Sequence, residues 1–596
     1  MVILSKTEGM CSVAFRRPHR QQVSVPASSS KLITYTIIPL KTGELPLQVT
    51  VIARSFIEPD AVRKNLRVVV EGIQRIKSRS FVLDPSEKRN KGIQVIKVKK
   101  TELNSVVPNS KPEAFINVRG DLLADSIDNS MKEDSLADLI RMPGGCVEQN
   151  LAKMALPLIA VHYLDRSANW GAVGLNRRDE AIKYIQKGYE NQLNYRKEDD
   201  SYPPYKEKGS STWITAFVLK VFSMAHSFIS VSERHLCGPL RYLLYKQRPD
   251  GSFQEDNEVY TIKYKGGLQG SESRETLTAF VLIALAETPN SVSCQESPTN
   301  IKSSSRKAAM YLQKRFPHLK RPYSAAIVCY ALALSNHSCT KSMLLNLASR
   351  DRTHWPDSDN HYFTLEATGY ALLALIKGGH VNEAMAPFQW LNEQRGIGGG
   401  YGSTQSTIIV LQALSEYLVK WPLPSKRTLK VELRVPGRKS IQWTFLPKVA
   451  HKLQTAQVPF DKELTVVATG NSKGILEVVT VYHQLPDAYE NSTCNSFQLD
   501  VSIVKTENHR PDVENTYKLT IRVRSLEGMA KMVILDIGLP TSFEPDNSDL
   551  EQLMNSVDQY INHFEVVDNL SDRGSLIIHL FEVSSTQTDV QTASEI

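Results

Sequence analysis

No uninterrupted apolar run in this 596-residue chain approaches the ~18 residues of a membrane-spanning helix, so membrane insertion is not expected. Basic residues do not gather with aromatics. The densest stretch, Arg16-Arg17-Pro18-His19-Arg20, holds no stacking ring and reads as a solvated loop rather than a nucleic-acid surface. Cysteine is sparse. The seven (Cys11, Cys146, Cys237, Cys294, Cys329, Cys339, Cys494) form no C-x-x-C or Cys/His spacing, so no metal and no cofactor is expected. Their odd count points to a free or specially used thiol. A leader is also missing: Met1-Val2-Ile3-Leu4-Ser5-Lys6 has no long apolar core followed by a small-residue cleavage site. That leaves an intracellular chain or a piece of a longer, secreted one. Sequons at Asn336, Asn491 and Asn569 fit the second reading as glycosylation sites.

What is present describes ordinary globular protein: 41% hydrophobic, 22% charged, and a net charge of +8 that is small for this length. The length implies about three to five domains. Residues 1 to about 120 read as strands; Leu47, Val49, Val51 and Ala53 alternate with Gln48, Thr50, Ile52 and Arg54. From about 500 the style returns, with Tyr517, Leu519, Ile521 and Val523 on one face, so both ends are expected to be antiparallel sandwiches. The middle is helical and repetitive. Thr215-Ala216-Phe217-Val218-Leu219, Thr278-Ala279-Phe280-Val281-Leu282, Val328-Cys329-Tyr330-Ala331-Leu332 and Thr368-Gly369-Tyr370-Ala371-Leu372 are versions of one buried element. Amphipathic stretches such as 179–196 and 382–395 lie between them. Irregular repeats of about 40 to 60 residues pairing buried with amphipathic helices suggest an α/α toroid, with a simple solenoid as the alternative. The apolar helices have almost no polar face to show solvent, which favours the toroid.

At the head of this region stands Met142-Pro143-Gly144-Gly145-Cys146-Val147-Glu148-Gln149-Asn150. A thiol three residues before a carboxamide can expel ammonia and close a thioester from Cys146 Sγ to the Gln149 side-chain carbonyl. A thiolate leaves far more readily than an amide nitrogen, so this bond is a stored acyl donor. Gly144 and Gly145 let the chain turn tightly enough to close it, and with Val147 and Glu148 they make up the expected thioester loop. The helix expected to follow, through Leu151-Ala152-Lys153-Met154-Ala155-Leu156, would place its N-terminal N–H groups near the departing thiolate.

These residues resemble the thioester-containing complement and α2-macroglobulin family. The matching text includes Ala160-Val161-His162-Tyr163-Leu164-Asp165, Ser211-Thr212-Trp213, Asp250-Gly251-Ser252-Phe253-Gln254-Glu255-Asp256, Trp390-Leu391-Asn392-Glu393-Gln394-Arg395, Gly399-Gly400-Tyr401-Gly402-Ser403-Thr404-Gln405 and Ser571-Asp572-Arg573. The resemblance covers nearly the whole chain. It implies an α/α-toroid thioester domain (121–427) inserted in a β-sandwich CUB domain (73–120 and 428–488). Macroglobulin-type sandwiches flank it at 1–72 and 489–596, both truncated parts of a longer family chain, and the missing signal peptide then reads as truncation. It also implies a secreted opsonin that bonds once to a target surface after proteolysis, not a turnover enzyme, working with complement proteases and regulators.

The resemblance further implies a Cys237–Cys294 disulfide, orphaned half-cystines at Cys11 and Cys494, Met532 and Tyr560 as a shield over the thioester, and a regulatory cleavage at Arg438. Plain core packing explains Met532 and Tyr560 equally well, as an exposed basic loop explains Arg438. Two departures matter. The family motif has glycine where this chain has Val147, which costs on the order of 1–2 kcal/mol if the backbone there is left-handed and only adds bulk if it is not. Alignment from Asp250-Gly251 to Gly266-Gly267 puts Thr261 at the family's catalytic histidine; threonine forms no acyl-imidazole, which leaves direct attack by amine-bearing surfaces. Arg166-Ser167-Ala168 replaces acidic residues that complement members present to a receptor. The alternative function is a thioester-deficient decoy acting by non-covalent contacts. A toroid glycosidase would need two facing carboxyls, and the adjacent pairs Asp199-Asp200 and Glu255-Asp256 read instead as solvated turns.

Overall fold

The computed structural model describes the chain apart from residues 17–19, 28, 54–58, 69, 71, 87–91, 109, 131–146, 168–169, 171–176, 205–208, 256–265, 269, 290–291, 293, 295–297, 358–359, 397–398, 423–426, 486–495, 507–515, 527, 529, 540–543, 555–560, 568–574, 584–587 and 596. Within its elements the side chains of some further residues, Gln149 and Met532 among them, are not described.

The helices of the middle region are α1 (Ala124–Ser130), α2 (Val147–Ser167), α3 (Arg177–Leu193), α4 (Thr212–Ala225), α5 (Glu233–Tyr245), α6 (Ser273–Glu287), α7 (Pro298–Arg315), α8 (Pro322–Leu334), α9 (Lys341–Asn346), α10 (His361–Lys377), α11 (Val381–Glu393) and α12 (Thr404–Lys420). Burial sorts them into two layers. In α10 every residue from Phe363 to Ile376 is buried, and in α8 every residue from Tyr323 to Leu332. In α3 only Ala181, Ile185, Gly188, Tyr189 and Gln192 are buried, one stripe at helical spacing. The apolar helices close a ring: α2 packs on α4, α4 on α6, α6 on α8, α8 on α10, α10 on α12, and α12 returns to α2. Helices α3, α5, α7, α9 and α11 pack outside α2, α4, α6, α8 and α10 in turn. This is the expected α/α toroid, and the reason is the one read from sequence: a helix without a polar face must be covered on all sides.

A repeated device feeds the chain into the ring. Four turns carry a left-handed residue: Asp200 (φ 62°), Gly251 (φ 93°), Arg352 (φ 57°) and Gly399 (φ 86°). A buried aromatic follows each one, Tyr202, Phe253, Trp355 or Tyr401. Its backbone N–H donates to a threonine hydroxyl of the next inner helix: Thr215 (3.1 Å), Thr278 (3.1 Å), Thr368 (3.0 Å) and Thr407 (3.0 Å). Gly251 is also required by space, because a Cβ there would sit 2.4 Å from the Lys307 carbonyl oxygen. Of the acid pairs, Asp199 is exposed in a turn as expected and Asp256 lies outside the described residues, but Asp200 and Glu255 are held by partners. Asp200 is buried against Arg196 Nε at 3.0 Å, and Glu255 accepts the backbone N–H groups of Thr212 (2.8 Å) and Trp213 (3.1 Å). Both acids serve a structural end, a charge partner in one case and a helix N-terminus in the other.

Strands from both sides of the ring interleave in one sandwich. One sheet runs Ile441–Phe445, Leu429–Arg434, Leu464–Gly470, Ile93–Val98; the other runs Gln454–Val458, Glu113–Arg119, Gly474–Gln484, Ile73–Leu83. Leu83, Ile116, Leu433, Val466 and Leu476 fill the space between them. The ring is therefore an insertion. Its two ends lie together: a Cβ on Gly474 would stand 2.5 Å from the Arg119 carbonyl oxygen and 2.6 Å from a Leu429 methyl. Ring and sandwich also touch through α11 on strand Ile73–Leu83, with Ser80 Oγ donating to the Arg395 carbonyl at 3.1 Å.

The C-terminal sandwich has one sheet in the order Phe497–Thr506, Thr516–Ser525, Thr588–Glu595, Glu544–Pro545 and another in the order Ala530–Gly538, Ser575–Val583, Ile561–Val567, with α13 (Asn547–Met554) beside them. Leu519, Ile521 and Val523 face its core, as their alternation predicts. At the other end, Val2–Leu4, Gly43–Val51 and Asp60–Val68 make a three-stranded sheet. There the alternation misleads. Leu45 is buried with Val2 and Leu4, whereas Leu47 and Val49 are half-buried and Val51 is exposed, because the sheet is covered only around Leu45. Among the described residues no helix is long and apolar enough to cross a membrane.

Candidate functional site

The six inner helices run the same way, since each outer helix carries the chain back. Their C-terminal ends surround a cavity of about 600 Å³ bordered by His162, Met224, Glu287, Tyr330, Lys377 and Glu416, one residue from each helix. Val147, the first residue of α2, is therefore at the opposite end, where six helix N-termini gather. Gly144, Gly145 and Cys146 lie outside the described residues, as does the Gln149 side chain, while the Gln149 backbone belongs to the first turn of α2. Val147 and Glu148, expected in the loop, are instead already helical, with Val147 0% and Glu148 2% exposed. Helix α2 thus starts immediately after the cysteine, four residues before the apolar run that predicts it. An acid in the first turn suits the positive end of the helix dipole. Asn150 ties this turn to α3, its Nδ2 donating to the Gly188 carbonyl (2.8 Å) and to Gln192 Oε1 (2.7 Å).

Thr261 lies outside the described residues, but both flanks of its segment are fixed at the same end of the ring. Before it, Glu255 caps α4. After it, the Gly267 N–H donates to Glu366 Oε2 at 3.0 Å, and its carbonyl accepts from Arg321 Nη1 at 2.6 Å. Arg321 Nε in turn donates to Asp357 Oδ2 at 2.7 Å. Gly267 also lies flat on the Tyr323 ring, where a Cβ would meet Cδ2 at 2.2 Å. Burial pushes the Glu366 carboxyl up to about 7, against the Gly267 and Tyr323 hydrogen bonds that favour its charged form. Sequence reasoning missed Glu366. The signal was there: it is the single charged residue between Phe363 and Ile376.

Cys237 on α5 and Cys294 after α6 are joined in a disulfide. So are Cys329, read from sequence as a core residue, and Cys339. Cys329 is buried as well, so both descriptions hold, but the pairing depends on the chain doubling back after α8. Cys11 is free and exposed; Cys494 lies outside the described residues. Met532 sits in strand Ala530–Gly538 with its side chain not described, and Tyr560, Asn491 and Asn569 fall outside. Asn336 is described and exposed. Arg438 is an exposed turn residue after Gly437 (φ 77°), with Nη1 3.4 Å from the Gln457 carbonyl. Arg166 borders the cavity at the C-terminal ends of the inner helices. Among the described residues no cluster of three or more acidic, histidine or cysteine side chains could hold a metal.

A closed helical ring set into a two-sheet sandwich, with a cysteine–glutamine motif at the head of an inner helix, is the architecture of a thioester-domain protein. Residues 116–417 match the A-macroglobulin TED domain and residues 528–594 the A-macroglobulin receptor binding domain, and the chain belongs to this complement and α-macroglobulin family. It is 41% identical to Complement C3 of Oncorhynchus mykiss over 596 residues, covering 99% of this chain and 36% of that one. It is 36% identical to the Venom factor of Crotalus adamanteus (99% and 36% covered) and to Complement C3 of Naja naja (96% and 35% covered). The chain spans about a third of the length of these curated relatives.

Proposed function

We propose that this chain carries the reactive part of a complement-type opsonin: a Cys146–Gln149 thioester spent once on an amine-bearing surface, not turned over. The observation that supports this most is the position of Gln149, in the first turn of α2 immediately after Cys146 and at the end of the ring where six helix N-termini gather. Closing the bond joins Sγ to the Gln149 side-chain carbonyl carbon and releases ammonia. Opening it is the reverse in kind: an amine nitrogen adds to that carbon, the C–S bond breaks, and the thiolate leaves carrying the electron pair while the nitrogen gives up a proton. Helix N–H groups near Sγ favour the thiolate. Thr261, at the family's histidine position, supplies a hydroxyl without useful basicity at neutral pH, so direct attack by primary amines is preferred to transfer through an acyl-imidazole.

In this reading the units divide near residues 72, 120, 427 and 488, the rest of a longer chain shields the thioester, and complement proteases and regulators act on it. Met532 and Tyr560 belong to the shield, and Arg438 is a cleavage point. Two disulfides accord with an extracellular setting. The test is intact mass with and without methylamine on freshly made protein whose shielding domains are present. One methylamine added at Gln149 and one newly titratable thiol are expected; no mass change with Cys146 already free would overturn the reading and leave a decoy. In the same preparation Thr261→His should raise incorporation of labelled glycerol by about 10²-fold relative to labelled putrescine, the usual scale of a positioned catalytic group. Equal glycerol incorporation would remove Thr261 from its assigned role.

A further inference from the structure

We propose that Asn336 is an N-glycosylation site whose glycan stands at the rim of the cavity formed by the C-terminal ends of the inner helices. The inference is independent of the thioester. It starts from how α8 ends. The His337 N–H donates to the Leu332 carbonyl at 2.8 Å and the Asn336 N–H to the Ala333 carbonyl at 3.4 Å, the paired bonds of a Schellman cap, with Asn336 left-handed at φ 58°. Glycine is the usual occupant of that position, and asparagine is the common substitute, so capping alone explains a left-handed residue here. It does not explain the side chain. The Asn336 residue is exposed, and its carboxamide makes no hydrogen bond among the described residues. The capping role therefore leaves Nδ2 free at an exposed corner.

Three further observations bear on the same residue. Ser338, exposed, completes the Asn-x-Ser acceptor triplet with His337 in the middle. The Cys329–Cys339 disulfide brackets the turn and ties the chain after it back to α8. That disulfide and Cys237–Cys294 form in an oxidising lumen, the compartment in which asparagine is glycosylated. The placement follows from the helix itself: Tyr330 and Leu334 of α8 line the cavity, and Asn336 is two residues beyond Leu334. A branched, hydrated sugar there faces any macromolecule approaching the C-terminal ends of the ring, while the opposite end, with the cysteine motif, stays clear.

The step balances without oxidation. Asn336 Nδ2 bonds to C1 of the first sugar of a lipid-diphosphate-linked oligosaccharide; the C1–O bond to the diphosphate breaks, the lipid diphosphate leaves, and Nδ2 loses one proton.

The test uses the full chain, secreted from eukaryotic cells. Peptide mapping in ¹⁸O water should recover the peptide spanning 336 only after peptide-N-glycosidase, with aspartate at that position carrying the label. Ser338→Ala, which leaves Asn336 and the cap intact, should lose the modification; Asn336→Gln should lose it too. An unmodified peptide in folded, secreted protein overturns the site. The rim placement is read separately with Lys377→Cys, an exposed cavity-border position, and a poly(ethylene glycol) maleimide. Labelling at that peptide should be several-fold slower in glycosylated protein than after enzymatic deglycosylation, with no difference for a small maleimide. Equal polymer rates overturn the placement.

Discussion

Val147 is where the motif departs from the family pattern, and its position decides between the two readings of that departure. As the first residue of α2 it has helical backbone, so the left-handed penalty does not apply. What it adds is bulk, wholly buried among the ring's core residues. Val147→Gly should therefore destabilise rather than relieve strain, by about 2–4 kcal/mol from lost burial and added backbone freedom. Denaturant unfolding checks the sign, and a gain in stability would restore the strain reading. Glu366 makes a second prediction at this scale. Its folded pKa of about 7 lies above the usual 4.5, so the folded protein binds the extra proton and stability falls as pH rises from 4.5 to 7, then levels. Glu366→Gln should flatten that fall. The variant gains on the order of 3 kcal/mol relative to wild type between those pH values. Parallel melting curves across pH measure it; an unchanged slope would assign the titration to another group. Neither feature could be read fully from sequence. The motif's residue types were legible, but whether position 147 is loop or helix depends on the ring that buries it, and a lone acid in an apolar helix shows its cost only once its partner, the Gly267 N–H, is found 99 residues away.

At the scale of elements, the repeat was visible as small residues followed by an aromatic, and the structure shows what the threonines in it do. They accept the N–H of the aromatic that ends each incoming turn. That partnership was not legible, because the separation is 13 residues for Thr215 and Thr368, 25 for Thr278 and 6 for Thr407, too irregular to appear as a period. The third copy, Val328-Cys329-Tyr330, lacks the threonine and carries the Cys329–Cys339 bond one position on in the motif. Thr368→Val keeps the shape and removes the acceptor, leaving the Trp355 N–H buried without its partner. The expected loss is about 1–3 kcal/mol in urea unfolding. Thr368→Ser, which keeps the hydroxyl, should recover most of it; if serine and valine cost the same, packing of the γ-methyl and not the hydrogen bond is what matters.

At the scale of the whole molecule, the ring's layered form was legible because its helices lack a polar face, but its insertion into a sandwich was not readable from local pattern. The strands that prove it are hundreds of residues apart: Asn117 Nδ2 reaches Glu477 across 360 positions, and Arg75 Nε reaches Gln484 across 409. Resemblance to the family supplied that step. The physical consequence can be tested. Because the ring leaves after Arg119 and returns before Leu429 at adjacent points over Gly474, a short Gly/Ser linker can replace residues 121–427 without stretching either strand. The shortened chain should keep both four-stranded sheets, whose buried layer of Ile116, Leu433, Val466 and Leu476 is its own. Circular dichroism should show β structure with a cooperative melt. The excised ring should stay helical but melt below the intact chain, since it loses the Ser80–Arg395 bond and the two sandwich residues, Val82 and Ile475, that complete its core. Removing those contacts also uncovers Val82 and Ile475 on the shortened chain, so Val82→Thr and Ile475→Thr should improve its solubility without lowering its melting point. A shortened chain that remains disordered with the linker in place, and with those substitutions, would mean that the sandwich forms only on the finished ring.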